Sequence, residues 1–261
     1  MTTDASLAGW GAHLQDLQAQ GLWSEEEKQL HINYLELKAV FLALKTFLPT
    51  LKNTAVRILT DNTACMYYIR KQGGTRSRPL SLLAQELWKW AILNGIRLTA
   101  YHLAGVKNVQ ADHLSRVINE SQEWELDQGV TDSLFREWGE PDIDLFATAE
   151  STKCRRFASR WKEEGSVGDA LIVHWHYQLL YAFPPTPLIH KVLVKLRAHN
   201  THMILIAPAW PRQTWFAEIK KMSVAREIPL GADPTLLSRD DGRILHHDPV
   251  PLKLTAWLLR S

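Results

Sequence analysis

Two short segments each end in a carboxylate: Thr3-Asp4-Ala5-Ser6, and Val56-Arg57-Ile58-Leu59-Thr60-Asp61-Asn62. In the second, Val56, Ile58 and Leu59 give the β-branched and apolar bulk of a strand, and Asp61-Asn62-Thr63 breaks it. Asp61 is then either the N-cap of a following helix or one of a pair, since the Thr-Asp step also opens the chain. Two strands that deliver carboxylates to one sheet edge can hold a divalent metal. Glu36 is a third candidate, projected from a helix toward the strand ends. Its alternative is half of a capping box with Asn33. Asp112, in Asn108-Val-Gln-Ala-Asp112-His-Leu-Ser-Arg116, falls in the first turn of a helix, where a carboxylate also suits the helix dipole.

The elements that must position these acids follow from local pattern. Gly9-Trp10-Gly11-Ala12-His13-Leu14 reads as the second strand of a meander, relieved by glycine and carrying a packed tryptophan. Gln18 to Gln29 is polar and irregular, with a third short strand near Leu22-Trp23. Asn33 to Phe47 is the clearest helix, capped by Asn33, with Leu37, Val40, Phe41, Leu44 and Leu48 as its buried stripe. After the strand at 56–60, a helix is expected from Asn62 to about Gln72, ended by Gly73-Gly74. Arg70, Lys71, Arg76 and Arg78 surround those glycines, either as phosphate contacts of a nucleic acid or as an ordinary solvated loop. Pro79 starts the next helix, with Leu82, Leu83, Leu87, Trp90 and Ile92 as expected core, and Gly95 stops it. Ile96 to His102 is a fifth strand. Gly105 then gives a loop, Asn108 a helix cap, and Leu114 an inward-packing residue.

Composition narrows the class. The 261 residues are 46% hydrophobic and 22% charged, an ordinary globular balance that allows one large core or two modest ones. The net charge of +2 is too small to argue for nucleic acid by itself. Its distribution says more: residues 1–120 are net +3, 121–140 net −5, and 141–261 net +4, so the acidic stretch reads as a boundary. Cys65 and Cys154 form no disulfide framework or zinc site, and His174-x-His176 lacks partners at metal-ligand spacing. No apolar run is long enough to span a membrane, and no secretory leader is visible. The expected setting is therefore reducing and intracellular, in cytoplasm or nucleus. Only Met1-Thr2-Thr3 precedes the first carboxylate, where a central strand should carry several apolar residues. The expectation is a chain that begins inside a larger reading frame.

In order and type, Thr3-Asp4-Ala5-Ser6, the helix Asn33-Tyr-Leu-Glu36-Leu-Lys-Ala-Val40, Thr60-Asp61-Asn62 and Asn108-x-x-Ala-Asp112-x-Leu-Ser-Arg116 resemble the ribonuclease H domain of retroelements. The likeness covers about residues 1–118, and its last motif is typical of long-terminal-repeat and DIRS-type retrotransposons. It implies a mixed five-stranded sheet, antiparallel in the order 3-2-1 and parallel in the order 1-4-5, with flanking helices. It also implies a catalytic and metal-binding set of Asp4, Glu36, Asp61 and Asp112. These would hold two Mg²⁺ ions, with Mn²⁺ as a substitute, for phosphodiester hydrolysis. His102 stands where some members place a histidine that assists product release; its alternative is a strand-end histidine with no role. Ser6 and Asn62 become contacts to the minor groove of an RNA–DNA hybrid. A reverse transcriptase upstream in the same polyprotein is the implied partner, with no membrane involved.

Residues 119–140 read as an acidic linker, and 141–261 as a second α/β domain. There, Asp142 to Phe146 and Tyr181 to Thr186 end strands, Leu188 to Ala198 is a periodic helix, and Met203 to Pro208 is a buried strand. This half resembles the Rossmann-like adenine-N6 methyltransferase segment that follows ribonuclease H in DIRS-type elements. It departs from that pattern where chemistry is needed. In the Asp/Asn-Pro-Pro-aromatic motif, Phe183 takes the polar place beside Pro184-Pro185 and Thr186 the aromatic one. The expected function is a Mg²⁺-dependent endonuclease acting on the RNA strand of hybrids, followed by a degenerate domain. The alternative is a catalytically silent, nucleic-acid-binding fragment of a retroelement.

Overall fold

The computed structural model describes residues 1–74, 76–116, 124–160, 163–240, 242–246 and 248–261. The chain divides into two compact units, Met1–Gln122 with Gly242–Asp248, and Glu123–Asp241 with Pro249–Ser261.

In the first unit, β1 (Thr2–Ala5), β2 (Gly9–Leu14) and β3 (Leu17–Leu22) form an antiparallel meander. Helix α1 (Ile32–Thr46) and the short α2 (Leu48–Leu51) lead to β4 (Ala55–Thr60), which lies parallel to β1. Helices α3 (Thr63–Arg70) and α4 (Arg78–Leu93) lead to β5 (Arg97–His102), parallel to β4, and α5 (Val109–Arg116) follows. The order β5-β4-β1-β2-β3 and its mixture of directions are those that the resemblance implied. The strand Ile244–His246 joins this sheet in parallel beside β3. The third strand begins earlier than its polar sequence indicates. Pairing with a neighbour on each side supplies the ladder that Leu17–Leu22 cannot signal by alternation.

Helix α1 starts at Ile32, capped by His31, whose ring nitrogen accepts from the Asn33 amide. The expected cap at Asn33 and its capping box with Glu36 are therefore replaced, and Glu36 is turned inward at 5% exposure. Leu37, Val40, Phe41 and Leu44 are buried as the helical spacing predicts. On α4 the buried face is Leu80, Leu83, Ala84, Leu87 and Ala91. Leu82 and Ile92, expected in the core, lie off that phase and are exposed.

The second unit is built on a six-stranded sheet. Phe157–Ala158, Ile143–Leu145, Leu179–Ala182 and His202–Pro208 run parallel in that spatial order. Leu254–Arg260 then pairs antiparallel with His202–Pro208, and Ile228–Pro229 antiparallel with Leu254–Arg260. Helix α7 (Ile189–Arg197) connects two parallel strands, and α8 (Thr214–Met222) follows the next. Residues 119–140, expected as a linker, contribute to this unit wherever they are described. Glu125–Leu126 pairs with Leu237–Arg239, and α6 (Gln128–Trp138), capped by Asp127, buries Leu134 and Phe135. Residues 119–123 of that stretch, like 117–118 of the expected first domain, lie outside the described residues. The run Met203-Ile-Leu-Ile-Ala207 is apolar throughout because both faces are buried: Met203 and Leu205 share a cluster with Val192 and Leu193 of α7, and Ile204 and Ile206 another with Leu134 and Phe135 of α6.

Candidate metal centre

Strands β1 and β4 are adjacent and parallel, so their carboxyl ends meet at one sheet edge. Their register pairs Thr2 with Leu59; two residues on along each strand come Asp4 and Asp61. Glu36 enters from the second turn of α1. Asp4, Glu36 and Asp61 each offer an oxygen within 4.8 Å of the others, the one such group of potential metal ligands among the described residues. Asn62, not Asp61, caps α3: its Oδ1 accepts from the Cys65 amide at 2.9 Å, and its Nδ2 donates to Asn33 Oδ1 at 2.9 Å. The Asp61 carboxylate is thereby left for the site.

The electrostatics of the group are those of crowded, dehydrated acids. Burial, then the charges of Asp4 and Asp61, push the Glu36 carboxyl up to about 9, against a donation from the Ala5 amide. Asp4 is raised by burial and by its neighbours Asp61 and Asp112, while the Ser115 hydroxyl pulls it back. Glu36 Oε2 is buried with no hydrogen-bond partner. A buried oxygen without a donor, beside two further carboxylates, fits a divalent cation, which offsets repelling charge and takes oxygen ligands. Because the native pKa of Glu36 lies above its unfolded value, the protonated native form binds the proton more tightly than the unfolded chain. In metal-free protein that contribution is full below about pH 4.5 and is lost as pH climbs toward 9. Melting in EDTA should fall between about pH 6 and about pH 8.5, more steeply in the wild type than in Glu36→Gln, and Mg²⁺ should recover it. Equal slopes for the two proteins would refute this.

The structure places the fourth acid differently. Asp112 lies near enough to raise Asp4, yet its carboxylate is outside the converged trio and pairs with Arg116 Nε at 2.7 Å, both side chains partly solvated. The reason is local: Arg116 sits one helical turn beyond Asp112 and reaches it first.

Two residues without an assigned site role prove to hold the centre. Asn108 was expected to cap α5; instead its buried side chain donates to the Thr3 carbonyl at 3.1 Å and to Asp4 Oδ1 at 3.3 Å. Ser115 Oγ donates to Asp4 Oδ2 at 2.6 Å. Asn108, Ala111 and Ser115 recur at helical spacing on the face of α5 toward β1 and β2, a phase the sequence does carry. Ser115→Ala combined with Asn108→Ala should therefore raise the Mg²⁺ concentration for half-maximal function by about 10- to 100-fold, the usual cost of losing partners behind a metal ligand. A Mn²⁺ titration by calorimetry reads this directly, and an unchanged midpoint would count against it.

The other expected contacts are distributed as follows. Ser6 is committed within the fold: its hydroxyl donates to the Ser115 carbonyl at 2.8 Å and accepts from the Ala8 and Gly9 amides. His102 is exposed at the end of β5, opposite Thr60. Arg70 is drawn away from the glycine loop, with Nε donating to the Ala100 carbonyl at 2.7 Å. Lys71 lies near the Tyr67 ring, and Arg76 and Arg78 are exposed. An open groove of about 820 Å³ runs here, lined among others by Tyr67, Lys71, Gly73, Arg76 and Gln85.

No protein-family model and no curated protein matches the chain. Among solved structures, it is similar to RNase H1 from the halophilic archaeon Halobacterium salinarum NRC-1. That match has 18% identity and a TM-score of 0.32, covering 41% of this chain and 79% of that one. It is also similar to LC11-RNase H1, isolated from compost by a metagenomic approach, at 17% identity and a TM-score of 0.30, covering 43% of this chain and 89% of that one.

Proposed function

We propose that the first unit is a Mg²⁺-dependent nuclease that hydrolyses the RNA strand of RNA–DNA hybrids. We place it in a retrotransposon polyprotein with a reverse transcriptase upstream, working in cytoplasm or nucleus. The observation that carries this reading is the convergence of Asp4, Glu36 and Asp61, with a Glu36 oxygen buried and unpartnered. Divalent cations held by these acids, with Asp112 nearby, would supply activation of water and stabilisation of the departing 3′ oxygen. The chain's own part is to fix the ligands: Asn108 and Ser115 clamp Asp4, the Ala5 amide orients Glu36, and the capping role of Asn62 frees Asp61. The groove beside Gly73, with Lys71 and Arg76 on its wall, suits the phosphate backbone of the duplex. End-labelled RNA–DNA hybrid, double-stranded RNA and double-stranded DNA, each incubated with the full chain, test the reading. Cleavage should be confined to the RNA strand of the hybrid and abolished by EDTA.

The Asp112–Arg116 pair favours the second reading, a silent nucleic-acid-binding protein, because it withholds one acid from the trio. Hybrid binding without cleavage in either Mg²⁺ or Mn²⁺ would establish that alternative.

For the second unit we infer a methyltransferase-like ancestry without methyl transfer. Phe183 cannot accept a hydrogen bond from an adenine amine, and Thr186 offers no face on which a base could stack. At the ends of Ile143–Leu145 and Leu179–Ala182, the cavity among Trp124, Asp144, Phe146, Tyr181 and Phe183 holds only about 20 Å³. That pocket by itself has room for one water. Calorimetry of the full chain with S-adenosylmethionine should show no binding heat; a saturable isotherm would reverse the inference.

A further inference from the structure

Strand alternation on β4 and β5 leaves one face of the sheet unlike the other. Val56, Ile58, Leu98 and Ala100 point into the core, while Arg57, Arg97, Thr99 and Tyr101 are exposed on the opposite face. Helix α5 lies over β1 and β2 on that side, and among the described residues Arg57, Arg97, Thr99 and Tyr101 of β4 and β5 stay exposed there. Register sets Arg57 beside Thr99 and Leu59 beside Tyr101. The Arg57 and Arg70 guanidinium carbons lie 5.3 and 5.2 Å from the centre of the Tyr101 ring. The bond from Arg70 to the Ala100 carbonyl fixes that side chain around the sheet edge. Among the described residues, no carboxylate is paired with Arg57, Arg70 or Arg97. Two residues beyond Leu59 on the same strand face comes Asp61, so this surface runs directly away from the acidic centre.

We propose that the open β4–β5 face is a second nucleic-acid surface that takes a single strand, with Arg57 and Arg97 on its phosphates and Tyr101 against its bases. Two cations on the sheet face, Arg57 and Arg97, and a third at its edge, Arg70, none paired with an acid among the described residues, match a polyanion, and an aromatic side chain among them adds the stacking element that single strands use without sequence preference. A duplex would present its phosphates but not its bases, leaving Tyr101 without a stacking partner.

The test is fluorescence anisotropy of a labelled single-stranded deoxythymidine oligonucleotide with the full chain in EDTA, where cleavage plays no part. Arg57→Gln with Arg97→Gln should weaken binding by at least about tenfold at low salt and reduce the log–log salt slope by about 1.4, for two lost phosphate contacts at roughly 0.7 each. Tyr101→Ala should weaken binding, with Tyr101→Phe close to wild type. Cleavage of a blunt hybrid should be unchanged in the double variant. Unchanged oligonucleotide affinity, or no binding by the wild type, overturns the proposal. So does competition by poly-glutamate as effective as by oligonucleotide, which would mark an acidic protein as the partner. If the chain binds the single strand through Arg57 and Arg97 but cleaves no hybrid, this surface stands while the nuclease reading fails.

Discussion

Asp61→Asn is expected to abolish Mg²⁺-dependent cleavage of the RNA strand, by at least on the order of a thousandfold, while leaving the fold intact. The substitution keeps the shape of the side chain and removes one of three converging carboxyl ligands. Without it, the remaining acids cannot offset a divalent cation as well, and the cation's Lewis-acid contribution is worth several kcal/mol. The fold should not suffer, because Asp61 is only partly buried and the cap of α3 belongs to Asn62. Asparagine also relieves repulsion felt by Asp4 and Glu36, so the metal-free variant should melt no lower than wild type above neutral pH. Rate constants for hybrid cleavage and circular-dichroism melts check both halves. Activity within tenfold of wild type would remove Asp61 from the centre.

Gly11→Ala should be the most destabilising single methyl in the first unit. A Cβ at this position would stand 2.4 Å from Leu114 Cβ, 2.5 Å from the Ala111 carbonyl oxygen and 2.6 Å from the Ser115 amide. Two of those three atoms are backbone of α5, so no side-chain rotation clears the space. Either α5 lifts from β2 or the strand moves. Overpacking of this kind costs roughly 1–3 kcal/mol and more where the backbone is trapped. Gly11 is also paired directly with Asp4 across β1 and β2. A lifted α5 would carry Asn108, Ser115 and Asp112 away from Asp4, so cleavage should be lost even where the variant still folds. Melting temperature and single-turnover cleavage measure the two effects separately. A variant with wild-type melting and activity would mean that α5 is not seated on β2 as described.

How much of this was legible depends on the range of the interaction. Thr3-Asp4 and Thr60-Asp61 are readable because a strand that stops at a carboxylate is a local pattern, and parallel neighbours then bring the two together. The burial of Leu37, Val40, Phe41 and Leu44 is likewise local periodicity. The clamp by Asn108 is not: an asparagine before a helix is ordinarily a cap, and its bond to Asp4 spans 104 residues. Glu36 was open to two readings until His31 took the cap. On α4, Leu82 and Ile92 misled because apolar residues stand on more than one face, and only packing against the sheet selects the phase. Residues 119–140 read as a connector because their charge is acidic. Yet a cap at Asp127 and three buried residues, Thr131, Leu134 and Phe135, make Gln128–Trp138 a packed helix. In the second half, unbroken apolar runs and a helical period mark the strand–helix–strand run from Leu179 to Pro208, since its strands are buried on both faces and its helix on one.

The strand Ile244–His246 has a bearing on how the chain can be divided. It belongs to the first unit but is encoded after nearly all of the second, so the polypeptide passes from one unit to the other three times. A gene fragment cut near residue 118 would leave β3 without this neighbour, exposing a row of unpaired amides and carbonyls of the kind that recruits other chains. An exchange of the first unit that kept its sheet whole would therefore have to take Ile244–His246 along with residues 1–122.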